Sequence, residues 1–240
     1  MAALVVLPGL DGTGTLHTAF IDAVAPAFDS VSVVSYPPNV PLGYTELEAH
    51  ARASLPPTRF FLLGESFSGP IALRIAADPP PHLQGLVLST TFARSPMAIL
   101  SSLASLSRIA PVKAMPMSLL SWWLFGRWST PLLQDALREA LRAVRVDVLR
   151  RRVADALRVD VTSHLADIRV PVLDLRATED RLLSRGAEGP IRQAIPDCHT
   201  AEVVGPHLLL QANPVECARH VAAFARGIHA PLTTRPGAVR

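Results

Sequence analysis

Three side chains in this sequence have the types and the chain order needed to break an acyl bond. Ser66 lies in the run Phe60-Phe61-Leu62-Leu63-Gly64-Glu65-Ser66-Phe67-Ser68-Gly69. A short apolar strand ends in a glycine there, and small residues surround the serine before a helical stretch begins. Such a run exposes one hydroxyl on a sharp strand-to-helix turn. A serine hydroxyl is a weak nucleophile until a base removes its proton, and that base needs an acid to orient it. Asp180 and His207 meet those needs in the order Ser66, Asp180, His207. Asp180 follows the apolar run 170–177 in Thr178-Glu179-Asp180-Arg181, and His207 follows the run 200–204 in Gly205-Pro206-His207. Each therefore comes just past a strand end, where the loops of an open α/β sheet converge. Glu179 is the alternative acid, and His199 and His220 are the alternative bases. His199 opens the last strand and His220 sits inside a helix pattern, and Asp174 lies mid-strand as a structural acid.

The elements that would position these groups alternate along the chain. Strand patterns fall at Leu4–Leu7, Val31–Ser35, Arg59–Leu63, Leu86–Ser89, Val170–Ala177 and Thr200–Val204. Helical stretches fall near 15–26, 44–54, 67–77, 187–195 and 214–227, the second entered at Thr45 with Glu48 at capping-box spacing. Short apolar strands alternating with helices predict an α/β protein: a mostly parallel six-stranded sheet with helices on both faces. The rhythm breaks between Thr91 and Asp167. That region holds Trp122, Trp123 and Trp128, and Leu133, Leu137, Leu141, Val144 and Val148 recur at helical spacing. It reads as a helical insertion. The expected organisation is a core formed by 1–90 and 168–228, a helical cap over 91–167, and a disordered tail over 229–240.

Composition narrows the function classes. The chain has 240 residues, 49% hydrophobic and 18% charged, which suits one sizeable core. The net charge is +3, with 22 arginines and one lysine, and no basic run is interleaved with aromatics, so nucleic acid is not an expected partner. The N-terminus lacks a basic leader and enters a strand pattern directly, and Cys198 and Cys217 are too few for a disulfide framework. Both features predict a cytoplasmic location. The apolar stretch 97–125 is interrupted by Arg108, Pro111, Lys113 and Pro116, and makes a poor membrane span.

The loop after the first strand, Pro8-Gly9-Leu10-Asp11-Gly12-Thr13-Gly14, supplies the fourth catalytic part. Backbone N–H groups of Leu10 and Phe67 are placed to receive a developing oxyanion. A phosphate cradle is the rival reading of the glycines. Their spacing is G-x-x-G-x-G rather than the dinucleotide pattern, and no acid follows the second strand to hold a ribose. Asp11 and His17 beside this loop could touch substrate, but read better as solvent-exposed polar residues.

With these residues in place, the chain resembles the α/β-hydrolase superfamily over residues 1–228. It is most similar to the small lidded members that include carboxylesterases and the pimeloyl-acyl-carrier-protein methyl ester esterase type. Two departures stand out: Pro8-Gly9 where many members have His-Gly, and Ser68 where the elbow motif G-x-S-x-G has its second glycine, with Gly69 one residue later. The resemblance implies Ser66 as nucleophile, His207 as base, Asp180 as acid, Leu10 and Phe67 as oxyanion donors, and 91–167 as the lid. It implies no cofactor and no metal.

The expected activity is a serine esterase, a carboxylic ester hydrolase working through an acyl-enzyme. An alternative is a thioesterase or methyl esterase acting on acyl-carrier-protein or CoA substrates, and an acyltransferase shares the same triad. An alternative of another class is a non-catalytic ligand- or partner-binding protein. Trp122 and Trp123, with Phe125 and Trp128, form either an acyl pocket or the lid's own packing core. The arginines 138, 142, 145, 150, 151 and 152 either dock an acidic acyl carrier protein or form a solvated helix face balanced by Asp135, Glu139, Asp147 and Asp155.

Overall fold

The structure, a computed structural model, describes residues 2–95, 116–183, 186 and 189–229. Six strands, β1 (Ala3–Leu7), β2 (Ser30–Val33), β3 (Phe60–Glu65), β4 (Leu83–Ser89), β5 (Val172–Ala177) and β6 (Cys198–Val203), form one sheet. Its order is β2-β1-β3-β4-β5-β6. All pairings are parallel, from Ala3 opposite Ser30 at one edge to Ala177 opposite Val203 at the other. The chain winds from β1 outward to β2, then returns past β1 to β3. The crevice at the carboxyl ends of β1 and β3 is therefore the point where an open sheet of this kind binds ligands.

Side-chain alternation divides the central strands between two cores. Val5, Leu7, Phe60, Leu62, Leu86 and Leu88 pack with Leu47, Ile71 and Ile75 of α2 (Tyr44–Ala53) and α3 (Gly69–Ala77). Leu4, Val6, Phe61, Leu63, Val87 and Leu173 face the other way, onto α1 (Thr18–Val24) and α9 (Pro214–His229). Every residue of β1 and β3 is buried, as a near-continuous apolar run in a covered parallel sheet requires. Burying each such large side chain contributes about 1.5–3 kcal/mol.

The sequence boundaries move at the sheet edges and helix ends. β6 begins at Cys198 rather than Thr200, because an edge strand needs no apolar alternation and its residues Cys198–Glu202 stay partly or fully exposed. α2 is entered at Gly43 rather than Thr45. Its reciprocal bond runs from the Gly43 N–H to Glu46 at 3.0 Å, while Glu48 holds Arg52 and Arg74. The last helix does not stop at 227. Ile228 packs into the second core, the helix runs on to His229, the expected start of the tail, and residues 230–240 lie outside those described.

Between β4 and β5 lie α4 (Met117–Leu124), α5 (Pro131–Arg142) and α6 (Val146–Ala156), followed by a 3-10 turn at Thr162–Asp167. Thr130 caps α5 by accepting from Leu133 N–H at 3.2 Å, and Pro131 occupies its first turn. The single apolar stripe read from sequence is broken between α5 and α6. Leu133, Leu137 and Leu141 pack with Phe125 and Leu208, whereas Val144, Val148 and Leu149 pack with Leu10. The interruptions Arg108, Pro111 and Lys113 of the apolar stretch fall on residues outside those described. No described helix is long and apolar enough to cross a membrane.

Candidate active site

The turn after β3 carries backbone strain at the residue sequence reasoning singled out. Ser66 has φ +48, in the left-handed region that a non-glycine residue rarely adopts, at a cost of about 1–3 kcal/mol. The Thr91 hydroxyl donates to the Ser66 carbonyl at 2.5 Å and helps hold the turn. Gly69 is what lets Thr91 come so close, since a Cβ there would sit 1.8 Å from Thr91 Oγ1. The glycine at 69 thus serves an approach from β4.

Ser68, in the departure from the elbow motif, has a specific role. Its hydroxyl donates to the Pro8 carbonyl and accepts from the Tyr36 hydroxyl at 2.8 Å. Since one hydroxyl has one proton, the order is fixed as Tyr36 to Ser68 to Pro8. Burial pushes the Tyr36 phenol well above its ordinary range, so it remains a donor. The serine turn and the glycine loop after β1 are tied together by this chain of bonds.

His207, almost fully buried, brings Nε2 to 2.8 Å from Ser66 Oγ and Nδ1 to 2.8 Å from Asp180 Oδ2. A carboxylate facing Nδ1 places the proton there, leaving Nε2 to accept from the serine. Asp180 Oδ1 accepts from the Leu182 and Leu183 N–H groups at 2.8 and 2.9 Å. Burial opposes ionisation of Asp180, but the hydrogen bond and charge of His207 and these two amides outweigh it and hold the carboxyl below its usual range. Of the alternatives, Glu179 turns away to Arg127 at 2.8 and 2.6 Å, and Asp174 pairs with Arg176 at 2.9 Å. His199 and His220 pair with Asp197 and Glu216.

Asp11 and His17 are buried, contrary to the sequence reading. Asp11 is 7% exposed and holds the Thr13 amide at 2.9 Å; His17 is 0% exposed. His17 Nε2 faces Glu65 at 2.9 Å and Nδ1 faces the Gly14 carbonyl at 3.3 Å. With an acceptor at each ring nitrogen, the imidazole carries both protons. Burial works against that charge, yet Glu65, Asp11 and the Gly14 carbonyl raise its pKa above the ordinary value. Burial likewise works against a charged Glu65, but His17 and the Gln211 amide at 3.0 Å hold it ionised. The pair joins the nucleophile strand, the glycine loop and α8 (Leu209–Ala212), which follows His207.

Removing one partner leaves a buried charge unpaired. Glu65→Ala is therefore expected to cost about 3–5 kcal/mol in urea unfolding. The lowered Glu65 pKa stabilises the fold above about 4.5 and is lost as pH falls through its folded value; the raised His17 pKa stabilises it below about 6.5 and is lost as pH rises through its folded value. The wild-type advantage should thus be full between those values and shrink on both sides.

The inserted helices pack against the residue that follows His207. The Leu208 N–H donates to the Leu124 carbonyl at 3.1 Å, and Phe125, fully buried, packs on Leu208 and Leu137. Trp122 and Trp123 are exposed by 53% and 37% and belong to no buried core cluster among the described residues, so they are not the packing core of the inserted helices. Trp122 instead lies under the Arg181 guanidinium, 4.6 Å from its ring centroid. Three arginines of the inserted helices, Arg138, Arg145 and Arg151, pair with Asp135, Asp147 and Asp155, whereas Arg152 is buried. Burial pushes the Cys198 and Cys217 thiols up to about 11 and about 12, leaving no neutral-pH thiolate. Among the described residues, no cluster of His, Cys, Asp and Glu could hold a metal ion.

A parallel sheet in the order 2-1-3-4-5-6, with a strained serine after β3, is the α/β-hydrolase fold. Comparisons with known structures agree. The chain superposes on the enol-lactonase of Burkholderia xenovorans with a TM-score of 0.75 at 16% identity, covering 95% of this chain and 91% of that one. It superposes on the bromoperoxidase of Bacillus anthracis with a TM-score of 0.79 at 14% identity, covering 94% and 92%. In sequence it is 24% identical over 233 residues to RutD of Yersinia enterocolitica, a protein assigned as a carbamate hydrolase, covering 88% of this chain and 82% of the relative. No family model matches the chain.

Proposed function

We propose that this chain is a serine hydrolase that cleaves carboxylic esters with an apolar acyl group. The observation that carries the reading is the unbroken hydrogen-bonded series from Ser66 through His207 to Asp180, begun on a positive-φ turn. Ser66 Oγ attacks the acyl carbonyl carbon as its proton passes to His207 Nε2. Asp180 remains ionised and favours the imidazolium. The oxyanion is received by the Leu10 and Phe67 N–H groups. Tyr44 supports the second of these, with its ring stacked 4.8 Å from Phe67 and its hydroxyl donating to the Phe67 carbonyl at 3.1 Å. Collapse breaks the acyl–oxygen bond, and His207 returns its proton to the departing alcohol. Water then attacks the acyl-enzyme with His207 again as base, releasing the acid and restoring Ser66.

The apolar acyl group follows from the apolar surroundings of His207, where Leu208 packs with Leu16, Leu124, Phe125 and Leu137. The likeness to RutD adds carbamates to the acyl groups worth assaying, because the same addition and collapse would release an amine.

The test is a fluorophosphonate probe followed by peptide mass analysis, alongside a p-nitrophenyl ester chain-length series with thioester and carbamate arms. The expected result is a single adduct on Ser66 and turnover that rises with acyl length. Folded protein that resists the probe would return the chain to the class of non-catalytic binding proteins.

A further inference from the structure

Among the described residues Arg152 is the largest fully buried side chain, at 1% exposure, and it arises from the segment inserted between β4 and β5. Its place on α6 explains the burial. Val148 and Leu149 lie four and three residues before it, so all three share the face that turns inward. A buried guanidinium must recover its lost hydration from the protein. Arg152 does so with main-chain carbonyls through Nη1 and Nη2, while its buried Nε has no partner among the described residues. Nη1 donates to Leu10 O at 3.1 Å and to Asp11 O at 2.6 Å, and Nη2 donates to Pro37 O at 3.2 Å. The guanidinium carbon lies 5.6 Å from the Tyr36 ring centroid. Gly12, at φ +68, leaves the space this needs, since a Cβ there would meet Nη1 at 2.5 Å.

These contacts hold the two peptide groups next to the one that matters most for the proposed chemistry, the Gly9–Leu10 unit that carries the Leu10 N–H. The Gly9 carbonyl accepts from the Gly12 N–H at 3.0 Å, and the next two carbonyls, of Leu10 and Asp11, are held by Arg152. Consecutive carbonyls 9, 10 and 11 are thereby engaged within the protein. No acceptor for the Leu10 N–H occurs among the described residues. A flip of the Gly9–Leu10 peptide would present a carbonyl oxygen, with its partial negative charge, where an oxyanion develops. The Asp11 carbonyl and the Gly12 N–H belong to one peptide unit, so Arg152, in holding the Asp11 oxygen, keeps that N–H aimed at the Gly9 carbonyl and opposes the flip. Preorganisation of this kind is where oxyanion stabilisation gains its strength. α6 is tied to the same region at its start, where Arg145 N–H donates to the Pro38 carbonyl at 2.9 Å.

We propose that Arg152 is a positioning residue for the oxyanion loop, acting through the Leu10 and Asp11 carbonyls. The proposal rests on the reading of Leu10 as an oxyanion donor. It makes α6 a fixed wall of the active site.

The test compares full-length wild type with Arg152→Met and Arg152→Lys on p-nitrophenyl butyrate, with inhibition by an alkyl trifluoromethyl ketone, whose serine adduct bears an oxyanion. In Arg152→Met, kcat should fall by about 100-fold with KM within about twofold, the scale of losing one oxyanion donor. Affinity for the ketone should fall in parallel. Arg152→Lys keeps the charge but cannot span the three carbonyls, and should recover only part of kcat. Should Arg152→Met fail to fold, Arg152→Lys decides. A folded variant of either kind with wild-type kcat and ketone affinity overturns the proposal, as does loss of kcat with ketone affinity unchanged. Wild-type protein lacking Ser66-dependent turnover instead overturns the proposed function, which the variant comparison does not imitate.

Discussion

Ser66→Ala is expected to reduce ester hydrolysis by about 10^6-fold, the scale found when the nucleophile of a serine–histidine–acid site is removed. The structure leaves no substitute. Ser66 Oγ stands 2.8 Å from His207 Nε2, and the neighbouring hydroxyls are committed elsewhere, Ser68 to Pro8 and Thr91 to the Ser66 carbonyl. Stability should change little. The variant forfeits one hydrogen bond, worth about 1 kcal/mol, and alanine bears the same positive φ that serine does. Activity and folding thus separate: kcat on p-nitrophenyl butyrate collapses while the urea midpoint stays within error. Retention of more than about a hundredth of wild-type kcat by a pure, folded variant would remove Ser66 from the chemistry. The residual rate, from binding and the backbone donors alone, gives the baseline for the Arg152 variants.

The alternation of short apolar runs with helical stretches was enough to read the parallel sheet, because β1, β3 and β4 are covered on both faces and their composition records it. Ser66, Asp180 and His207 were legible for a related reason. Each follows a strand that sequence pattern locates, and the ends of parallel strands in one sheet converge. The edges were less legible. β6 carries His199, Thr200 and Glu202, whose polarity reflects an exposed edge and masks its first residues.

The groups that support the site were not legible, and the cause is physical. A buried polar residue satisfied by distant partners looks, in sequence, like a solvated one. Glu65 and His17 are 48 residues apart, and Arg152 and Asp11 are 141 apart. Arg152 ends a run of three arginines, and only its register with Val148 and Leu149 marks it as inward. That signal was present, since an arginine on an apolar helical stripe is either misplaced or bound. Ser68 stands out in sequence only as a departure from a motif that specifies size there, whereas the structure uses its hydroxyl to join two loops.

Asp180→Asn should lower kcat by about 10^4-fold while preserving the fold. The direction follows from which end of the new amide faces His207. The Leu182 and Leu183 N–H groups both donate to Oδ1, so the amide oxygen must stay there to accept them. The amide nitrogen then takes the place of Oδ2, 2.8 Å from His207 Nδ1. Two donors cannot face one another, so the imidazole moves its proton to Nε2, and that nitrogen can no longer accept from Ser66. The base is present, correctly placed and in the wrong tautomer. Wild-type protein should show a downfield proton resonance from His207 Nδ1–H that the variant lacks, and this spectroscopic change separates tautomer loss from mere disturbance of the loop. Because His207 and the two amides hold the Asp180 carboxyl below its usual range against the effect of burial, the wild-type acid stays charged at every pH above about 4, and its contribution to stability fails only as pH falls below that. The kcat ratio of wild type to variant should therefore hold steady from pH 6 to pH 8, and a ratio that closes toward unity within that range would mean that Asp180 does not govern the tautomer of His207.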